Sequence, residues 1–187
     1  MQKKEAFSVY CTTTYPSPLG VLTLGSDGAA LTGLWLAGQK YFGAGLPDAP
    51  AQRPDLPVFA KARAWLDRYF AGERPAPQEL PLRPMGTPFR ALVWDLLCQI
   101  PYGQVTTYGA LAQAVAAELG RPSMSGQAVG GAVGRNPISI IIPCHRVVGS
   151  GGSLTGYAGG IAAKVWLLEH EGADLSRLTV PTRGTAL

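Results

Sequence analysis

A proline-rich segment divides this chain of 187 residues into two parts with different sequence patterns. Over residues 72–88, in GERPAPQELPLRPMGTP, five of 17 residues are proline. Because proline fixes φ and lacks an N–H group, neither a regular helix nor an interior strand can run through such a stretch. We therefore predict a linker or an extended crossover here. The predicted domains are residues 1–85 and 86–175, followed by a C-terminal tail, 176–187.

The first part carries a strand pattern followed by a helix pattern. The segment GVLTLGSDGAALTGLWLA predicts a hairpin with strands over residues 21–24 and 30–36, and residues 7–14 are a candidate third strand. In LPVFAKARAWLDRYFAG, apolar residues recur on one helical face, and a glycine at position 72 ends the pattern. That face consists of Val58, Ala62, Trp65, Leu66, Tyr69 and Phe70. We predict a small α/β domain with an antiparallel sheet.

The second part begins with three helix patterns. Thr87 is a suitable N-cap, and Pro88 a suitable first residue, for a helix with an apolar stripe. The stripe consists of Leu92, Val93, Leu96, Leu97 and Ile100. TTYGALAQAVAAELG and PSMSGQAVGGAVGRNP predict a second and a third helix, and helices joined by a short turn are typical of a helix-turn-helix. The third helix is rich in Gly and Ala, so it suits close approach to a DNA groove.

Two β-rich segments and a final helix pattern complete the second part. ISIII and HRVVG flank a Pro-Cys pair, and GGIAAKVWLLEHEG predicts an amphipathic helix that ends before Gly172. The fold class expected of the whole chain is α+β, with the sheet in the first part and most helices in the second.

Composition and charge exclude few classes of function. The formal charge is +4 and the sequence pI is about 9.1. The excess is divided evenly, with 9 Lys/Arg against 7 Asp/Glu in residues 1–85 and 7 against 5 in residues 86–187. Charge alone therefore does not identify a nucleic-acid partner. No apolar run is long enough to cross a membrane, and the first residues lack the apolar segment of a signal peptide, so we expect neither.

Three cysteines, Cys11, Cys98 and Cys144, are scattered without the spacing of a disulfide framework. An odd number without a framework indicates a reducing compartment, and we expect a cytoplasmic protein. The two histidines, His145 and His170, do not cluster with the cysteines, so we expect no metal site and no cofactor.

A thiol and an imidazole stand side by side in IIPCHRVVGS. The thiolate is the nucleophilic form of cysteine, and free cysteine is mostly protonated at neutral pH. His145 is the base nearest to Cys144 in the sequence. The pair therefore indicates nucleophilic chemistry at this cysteine.

The second part resembles the O6-alkylguanine-DNA alkyltransferases, also called methylated-DNA–protein-cysteine methyltransferases. The matching stretches are GTPFRALVWDLLCQIPYGQVTTYGALA, AVGGAVGRNPISIIIPCHRVVG, GSLTGYAGG and KVWLLEHEG, which span nearly all of residues 86–172 in the family's order. The combination of PCHRV with an upstream Asn-Pro and a downstream Tyr-Ala-Gly-Gly is very specific. The first part matches more loosely, through YPSPLGVLTLGSDGAALTGLWL.

The resemblance implies a fold and a reaction. The fold would be a ribonuclease H-like domain with an antiparallel sheet, followed by a helical, winged helix-turn-helix-like domain that carries the active-site cysteine. The reaction would be irreversible, single-turnover transfer of an alkyl group, such as methyl, from O6-alkylguanine or O4-alkylthymine in DNA to Cys144. The implied partner is double-stranded DNA containing alkylated guanine, and the implied state is a monomer without a cofactor.

The resemblance also implies roles for five catalytic residues. A relay of Glu171, His145, a water and Cys144 would activate the thiol. Asn136 would tie the third helix to the cysteine turn. The phenol of Tyr108 would donate a proton to the departing guanine.

Further residues would hold the base and the duplex. The flipped base would enter a pocket formed by Val133, Val147, Tyr157 and Ala158. The minor groove would be bound by Gly109, Gln127, Ala128, Gly130, Gly131, Arg135 and Ser150. Arg135 and Arg146 fit either phosphate contacts or internal ion pairs, and the sequence does not decide between these roles.

One position departs from the family pattern and keeps an alternative open. Gln127 stands where the family usually has an arginine that fills the gap left by the flipped base, and glutamine lacks that charge. The alternative is a non-catalytic or weakly catalytic sensor that binds alkyl lesions, against which Cys144 argues. A cysteine hydrolase using Cys144, His145 and Glu171 is a third hypothesis, and the lack of an evident oxyanion loop disfavours it.

Overall fold

The computed structural model describes residues 10–181. Residues 10–85 form a four-stranded sheet in the order β3-β2-β1-β4. Strands β1 (Cys11–Ser17), β2 (Gly20–Ser26) and β3 (Leu31–Leu36) are antiparallel, and the short β4 (Ala51–Gln52) pairs in parallel with β1. The predicted hairpin is confirmed. The third strand exists but starts later than predicted, and residues 7–9 of that prediction lie outside the described residues.

Helix α1 (Pro57–Phe70) covers the sheet with the predicted apolar face. Pro57 is its first residue, and the chain leaves it through Gly72, whose φ of 87° is unfavourable for other residues. Phe59 and Leu66 are fully buried. Phe70, which the pattern placed on the same face, is only partly buried because it lies at the end of the helix.

The proline-rich segment is an extended crossover that pairs with the sheet. Leu31 N–H donates to Pro81 O at 2.8 Å, and Arg83 N–H donates to Leu31 O at 2.8 Å, so this segment covers the start of the outer edge of β3. Further along the same edge, Leu34 N–H donates to Pro137 O and Ser139 N–H donates to Leu34 O, both at 2.9 Å. The edge of β3 therefore holds both the crossover and a segment of residues 86–181.

Residues 86–181 are built on four helices and a two-stranded pair. The helices are α2 (Pro88–Leu97), α3 (Tyr108–Glu118), α4 (Gly126–Val133) and α5 (Ile161–His170), and the parallel strands are β5 (Thr106–Thr107) and β6 (Val147–Val148). Hydroxyl groups cap three helices as the residue types favour. Thr87, Thr107 and Ser125 each accept a hydrogen bond from the backbone N–H three residues later. Trp94 Nε1 donates to Ala132 O at 3.0 Å and joins α2 to α4. The predicted α+β fold class is confirmed.

The β interpretation of the ISIII segment is wrong. Ile138 makes a single β-bridge with Leu34, and the chain then turns over residues 139–142, with Ile142 N–H bonded to Ile138 O at 3.0 Å and with Ile140 at φ 70°. All five side chains are buried, so their composition reflects burial rather than a pleated strand. The following Cys144–Arg146 is a 3-10 turn, and only Val147 and Val148 of the second β-rich segment form a strand.

The start of the predicted C-terminal tail packs against the structure. Leu154 N–H donates to Thr179 O at 2.8 Å, and Thr179 N–H donates to Gly152 O at 3.0 Å. Residues 182–187 of that prediction lie outside the described residues. Within residues 10–181, no helix combines the length and the apolar composition that a membrane crossing requires.

We expect Leu66→Ala to lower the free energy of unfolding by about 2–5 kcal/mol, because it removes a fully buried side chain between α1 and the sheet and leaves a cavity. Urea unfolding followed by circular dichroism measures this change. Lys61→Ala on the exposed face of the same helix is the control, expected to change stability by less than about 0.5 kcal/mol. Equal effects of the two substitutions would contradict this account of the core.

Candidate active site

Cys144 lies at the start of a tight turn that buries its thiol. The turn follows Pro143 and the left-handed Ile140, an unusual conformation for a β-branched residue. Only 5% of Cys144 is exposed, and His145 is fully buried beside it. The polypeptide therefore delivers a thiol and an imidazole into the interior, at the point where α4, α5 and β6 converge.

Asn136 holds this turn together. Its Oδ1 accepts from Ile138 N–H at 3.0 Å, and its Nδ2 donates to Ile142 O at 2.8 Å and to Cys144 Sγ at 3.1 Å. The residue lies three positions after the last residue of α4, so it links that helix to the cysteine turn, Cys144–Arg146. The contact with the sulfur goes beyond the link between helix and turn that the resemblance implies, and a donor at this distance favours the thiolate over the thiol.

Glu171 is the most heavily bonded side chain of the site. It caps the C-terminal end of α5 and is 4% exposed. Its Oε1 accepts from His145 Nε2 at 2.7 Å, from Tyr69 Oη at 2.7 Å and from Arg146 at 3.0 Å. Its Oε2 accepts from Arg146 Nε at 2.8 Å and from Gly103 N–H at 3.2 Å. Burial by itself would raise the pKa of Glu171, but the bonds and charges of His145 and Arg146 outweigh burial and lower it well below its usual range.

The carboxylate sets the tautomer of His145. An ionised carboxylate only accepts hydrogen bonds, so Nε2 must carry the proton and Nδ1 of the neutral ring must have a free lone pair. Burial lowers the pKa of His145, which keeps the imidazole neutral at physiological pH. Among the described residues, Nδ1 is buried and has no hydrogen-bond partner. His145 is thus held as a base whose Nδ1 has no partner in residues 10–181.

Cys144 is a thiol at rest. Burial raises the pKa of its Sγ, and the Asn136 hydrogen bond and the charge of Lys164 offset that rise only in part. A neutral thiol is a poor nucleophile, so the site needs a base at the moment of reaction.

Lys164 is a component of the site that sequence reasoning missed. The side chain is fully buried on α5, and its Nζ donates to Val147 O at 2.5 Å and to Thr155 O at 2.7 Å. Burial lowers its pKa to about 8, so most of its charge persists at neutral pH and favours the Cys144 thiolate. The only sequence signal was a lysine on the apolar face of an otherwise regular helix pattern.

Tyr108 lies at the first position of α3, with its hydroxyl between the helix and the 155–156 backbone. The hydroxyl is 3.4 Å from Thr155 O, and a Cβ at Gly156 would lie 2.5 Å from it, so glycine is required there. Burial, reinforced by the negative charge that Cys144 carries as a thiolate, raises the pKa of Tyr108 to about 12. Its phenol therefore remains protonated and is available as a donor.

The predicted pocket residues separate into two layers. Val133 and Val147 are fully or almost fully buried, beneath the surface. Tyr157 and Ala158 line an open cavity of about 510 Å³ next to Gly130 and Gly131 of α4. The Tyr157 ring also meets the His145 ring edge to face, with 6.3 Å between centroids. The cavity thus leads from the surface towards the Cys144 turn.

The predicted DNA-binding residues mostly lie on the exposed surface. Gln127, Ala128, Gly131, Arg135, Gly109 and Ser150 are exposed, and Gly130 is partly exposed. A Cβ at Gly126 or at Gly131 would meet nothing within 4 Å, so internal packing does not require these glycines.

The two arginines whose role the sequence did not decide differ in their surroundings. Arg146 is an internal partner of Glu171, whereas Arg135 is exposed and its guanidinium lies 4.4 Å from the Tyr41 ring centre.

Metal binding finds no support in the described residues. Within 10–181, no three His, Cys, Asp or Glu side chains are grouped closely enough to hold a metal ion.

We expect Glu171→Gln to lower the free energy of unfolding at pH 7 by about 3–5 kcal/mol, because it leaves Arg146 buried without its counter-charge. Glu171 has a lower pKa folded than unfolded, so its contribution is present above its ordinary value of 4.5 and is lost as the pH falls towards the folded-state pKa. The variant should therefore lose less stability than the wild type as the pH falls from 4.5 to about 3 in urea unfolding. Glu118→Gln, at an exposed site on α3, is the control. The same acid-induced loss in Glu171→Gln and the wild type would contradict this assignment.

Comparisons with known proteins agree across both parts of the chain. A family model described as 6-O-methylguanine DNA methyltransferase, ribonuclease-like domain, matches residues 9–84, and one described as 6-O-methylguanine DNA methyltransferase, DNA binding domain, matches residues 88–173. A methylated-DNA–protein-cysteine methyltransferase of Haemophilus influenzae is 44% identical over 160 residues, covering 85% of this chain and 84% of the relative. One from Mycobacterium tuberculosis is 45% identical over 159 residues, covering 84% and 90%.

Solved structures give the same result. The crystal structure of Mycobacterium tuberculosis OGT in complex with DNA is similar with a TM-score of 0.70 and 41% identity, covering 90% of this chain and 94% of that one. The O6-methylguanine-DNA methyltransferase of Pyrococcus kodakaraensis is similar with a TM-score of 0.64 and 28% identity, covering 88% and 99%. This chain belongs to the 6-O-methylguanine DNA methyltransferase family.

Proposed function

We propose that this protein repairs DNA directly, by transferring an alkyl group from O6 of guanine to Sγ of its own Cys144. The observation that carries the proposal is the orientation of His145, whose Nε2 is bound to Glu171 while Nδ1 has no partner among the described residues. That arrangement prepares a base next to a protonated thiol. The similarity to methylated-DNA–protein-cysteine methyltransferases supports the substrate class.

The reaction begins with proton transfer from the thiol. The Cys144 proton passes to His145 Nδ1, through a water as the resemblance implies, and Glu171 balances the imidazolium charge. Asn136 Nδ2 and the charge of Lys164 stabilise the thiolate during this step. Tyr69 and Arg146 keep Glu171 ionised and in place, so they position the base without contacting the substrate.

Displacement at the alkyl carbon follows. The Sγ–C bond forms while the C–O6 bond breaks, and the electron pair of that bond goes to guanine. Guanine takes up the phenol proton of Tyr108. The raised pKa of Tyr108 keeps that proton on the phenol until the C–O6 bond breaks. The imidazolium and the phenolate then return to neutrality by exchanging one proton with water. The product thioether cannot be hydrolysed, so each molecule reacts once.

The exposed surface of α4 supports binding in a minor groove. Gly126 and Gly131 are open to solvent, so the backbone of α4 can approach DNA closely. The damaged nucleotide must leave the base stack to reach a thiol that is 5% exposed. The relative from Mycobacterium tuberculosis was solved in complex with DNA, which supports DNA as the partner. Gln127 at the start of α4 takes the position next to the extruded base.

The proposal includes activity on O4-alkylthymine, action as a monomer and a cytoplasmic location. The location rests on three cysteines without disulfide spacing and on a nucleophilic thiol that must stay reduced.

We expect Cys144→Ser to abolish alkyl transfer while binding to duplex DNA is retained, because a hydroxyl is not ionised by this base. Mass spectrometry after incubation with duplex containing one O6-methylguanine should find a single methyl group on the Cys144 peptide of the wild type and none on the variant. Transfer that persists in Cys144→Ser would reject the nucleophile. Lesion binding by the wild type without any methyl gain would favour the sensor alternative.

We expect Gln127→Arg to speed repair of O6-methylguanine in duplex DNA more than the reaction with free O6-benzylguanine. The larger cationic side chain fills the gap in the base stack better, whereas the free base needs no flipping. Single-turnover rates with the two substrates measure the difference. Gln127→Glu is the matched control, since it keeps the size and adds the opposite charge. If both rates change by the same factor in Gln127→Arg, Gln127 does not act in base flipping.

A further inference from the structure

The loop between β3 and β4 reaches from the first part of the chain to the open cavity lined by Tyr157 and Ala158. Lys40 N–H donates to Ala158 O at 3.0 Å, which joins this loop to the predicted base pocket. Gln39 is 5% exposed, and its Oε1 accepts from Leu36 N–H at 2.9 Å and from Ser139 Oγ at 3.1 Å. The start of the loop is therefore fixed to the sheet through Leu36 and to the segment before Cys144 through Ser139.

Tyr41 is held in this loop in an unfavourable backbone conformation. Its φ is 62°, in the left-handed region that bulky residues rarely adopt. Two cations lie near its ring, the Arg135 guanidinium 4.4 Å and the Lys40 ammonium 5.4 Å from the ring centre. Conformations of this kind persist where surrounding contacts impose them, often at functional sites. Tyr41 thus holds Lys40 of the first part and Arg135 of the second part close together on the surface.

The cavity has two walls with different chemistry. Gly130 and Gly131 of α4 form one wall, and Lys40 and Tyr41 form the other. Among the described residues that line this cavity, none is Asp or Glu. Lys40 and Arg135 are both exposed and free to meet an anion. A nucleotide that enters the cavity brings its phosphates to this mouth, since the base lies deeper.

We propose that the first part of the chain binds DNA directly, with Lys40 pairing with a phosphate of the strand that carries the lesion, opposite α4. This inference rests on the proposed function. Tyr41 is a positioning residue that holds Arg135 and Lys40 side by side. The charge of a phosphate matches the two cations, and the surface is continuous with the exposed face of α4.

The test is the salt dependence of duplex binding by the full chain with Lys40→Ala. Neutralising one phosphate contributes about 0.9 to the slope of the logarithm of the binding constant against the logarithm of salt concentration. We expect the slope of Lys40→Ala to be shallower by about that amount, with several-fold weaker binding at low salt. Lys61→Ala, an exposed lysine on α1, is the matched control and should keep the wild-type slope. A wild-type slope in Lys40→Ala overturns the inference.

A second measurement separates this inference from the proposed function. The ratio of the repair rate on duplex at subsaturating protein to the rate with free O6-benzylguanine should fall several-fold in Lys40→Ala and further in Lys40→Glu. An unchanged ratio means that Lys40 shapes the pocket rather than binding the strand, and it overturns the inference. Failure of the wild type to react with either substrate would instead reject the proposed function.

Discussion

The buried carboxylate of Glu171 is the interaction on which the rest of the site depends. It receives hydrogen bonds from α1, from the loop before β5 and from the cysteine turn, through Tyr69, Gly103 and the pair His145 and Arg146. A carboxylate at the C-terminal end of a helix is disfavoured by the helix dipole, so specific partners must compensate. These partners also fix the imidazole tautomer, which makes fold stability and reactivity depend on the same contacts.

The edge of β3 joins the two parts of the chain through backbone hydrogen bonds. One stretch of it pairs with the proline-rich crossover at Leu31, and the next pairs with residues 137–139 at Leu34. An uncovered edge strand is open to aggregation, and here both neighbours come from the same chain. The segment that follows this pairing leads directly into Cys144, so the sheet positions a nucleophile that lies in the other part of the molecule.

The site keeps Cys144 as an unreactive thiol at rest and ionises it only during the reaction. Burial keeps Cys144 protonated, which protects a thiol that can react only once, and Asn136 and Lys164 reduce the cost of ionising it. Burial likewise keeps His145 neutral, so its Nδ1 can accept a proton. The same low-dielectric surroundings therefore favour the neutral pair, and transfer of the proton from Cys144 to His145 depends on Asn136, Lys164 and Glu171 to offset the cost of charging both groups.

The sequence by itself determined the local features: the Thr87 cap and the helix that follows it, the two further helix patterns, the hairpin and the Cys144–His145 pair. Through the family motif it also gave Asn136, Tyr108 and Glu171 as candidates. These depend on residues close together in the chain or on a specific motif. Only the tertiary structure decided that the chain turns over residues 139–142, that Arg146 is internal, and that Tyr69, Lys164 and the Lys40–Tyr41 loop meet the site. The physical reason is that these contacts join distant segments. Periodicity and composition record which residues are buried, but not which buried groups face one another.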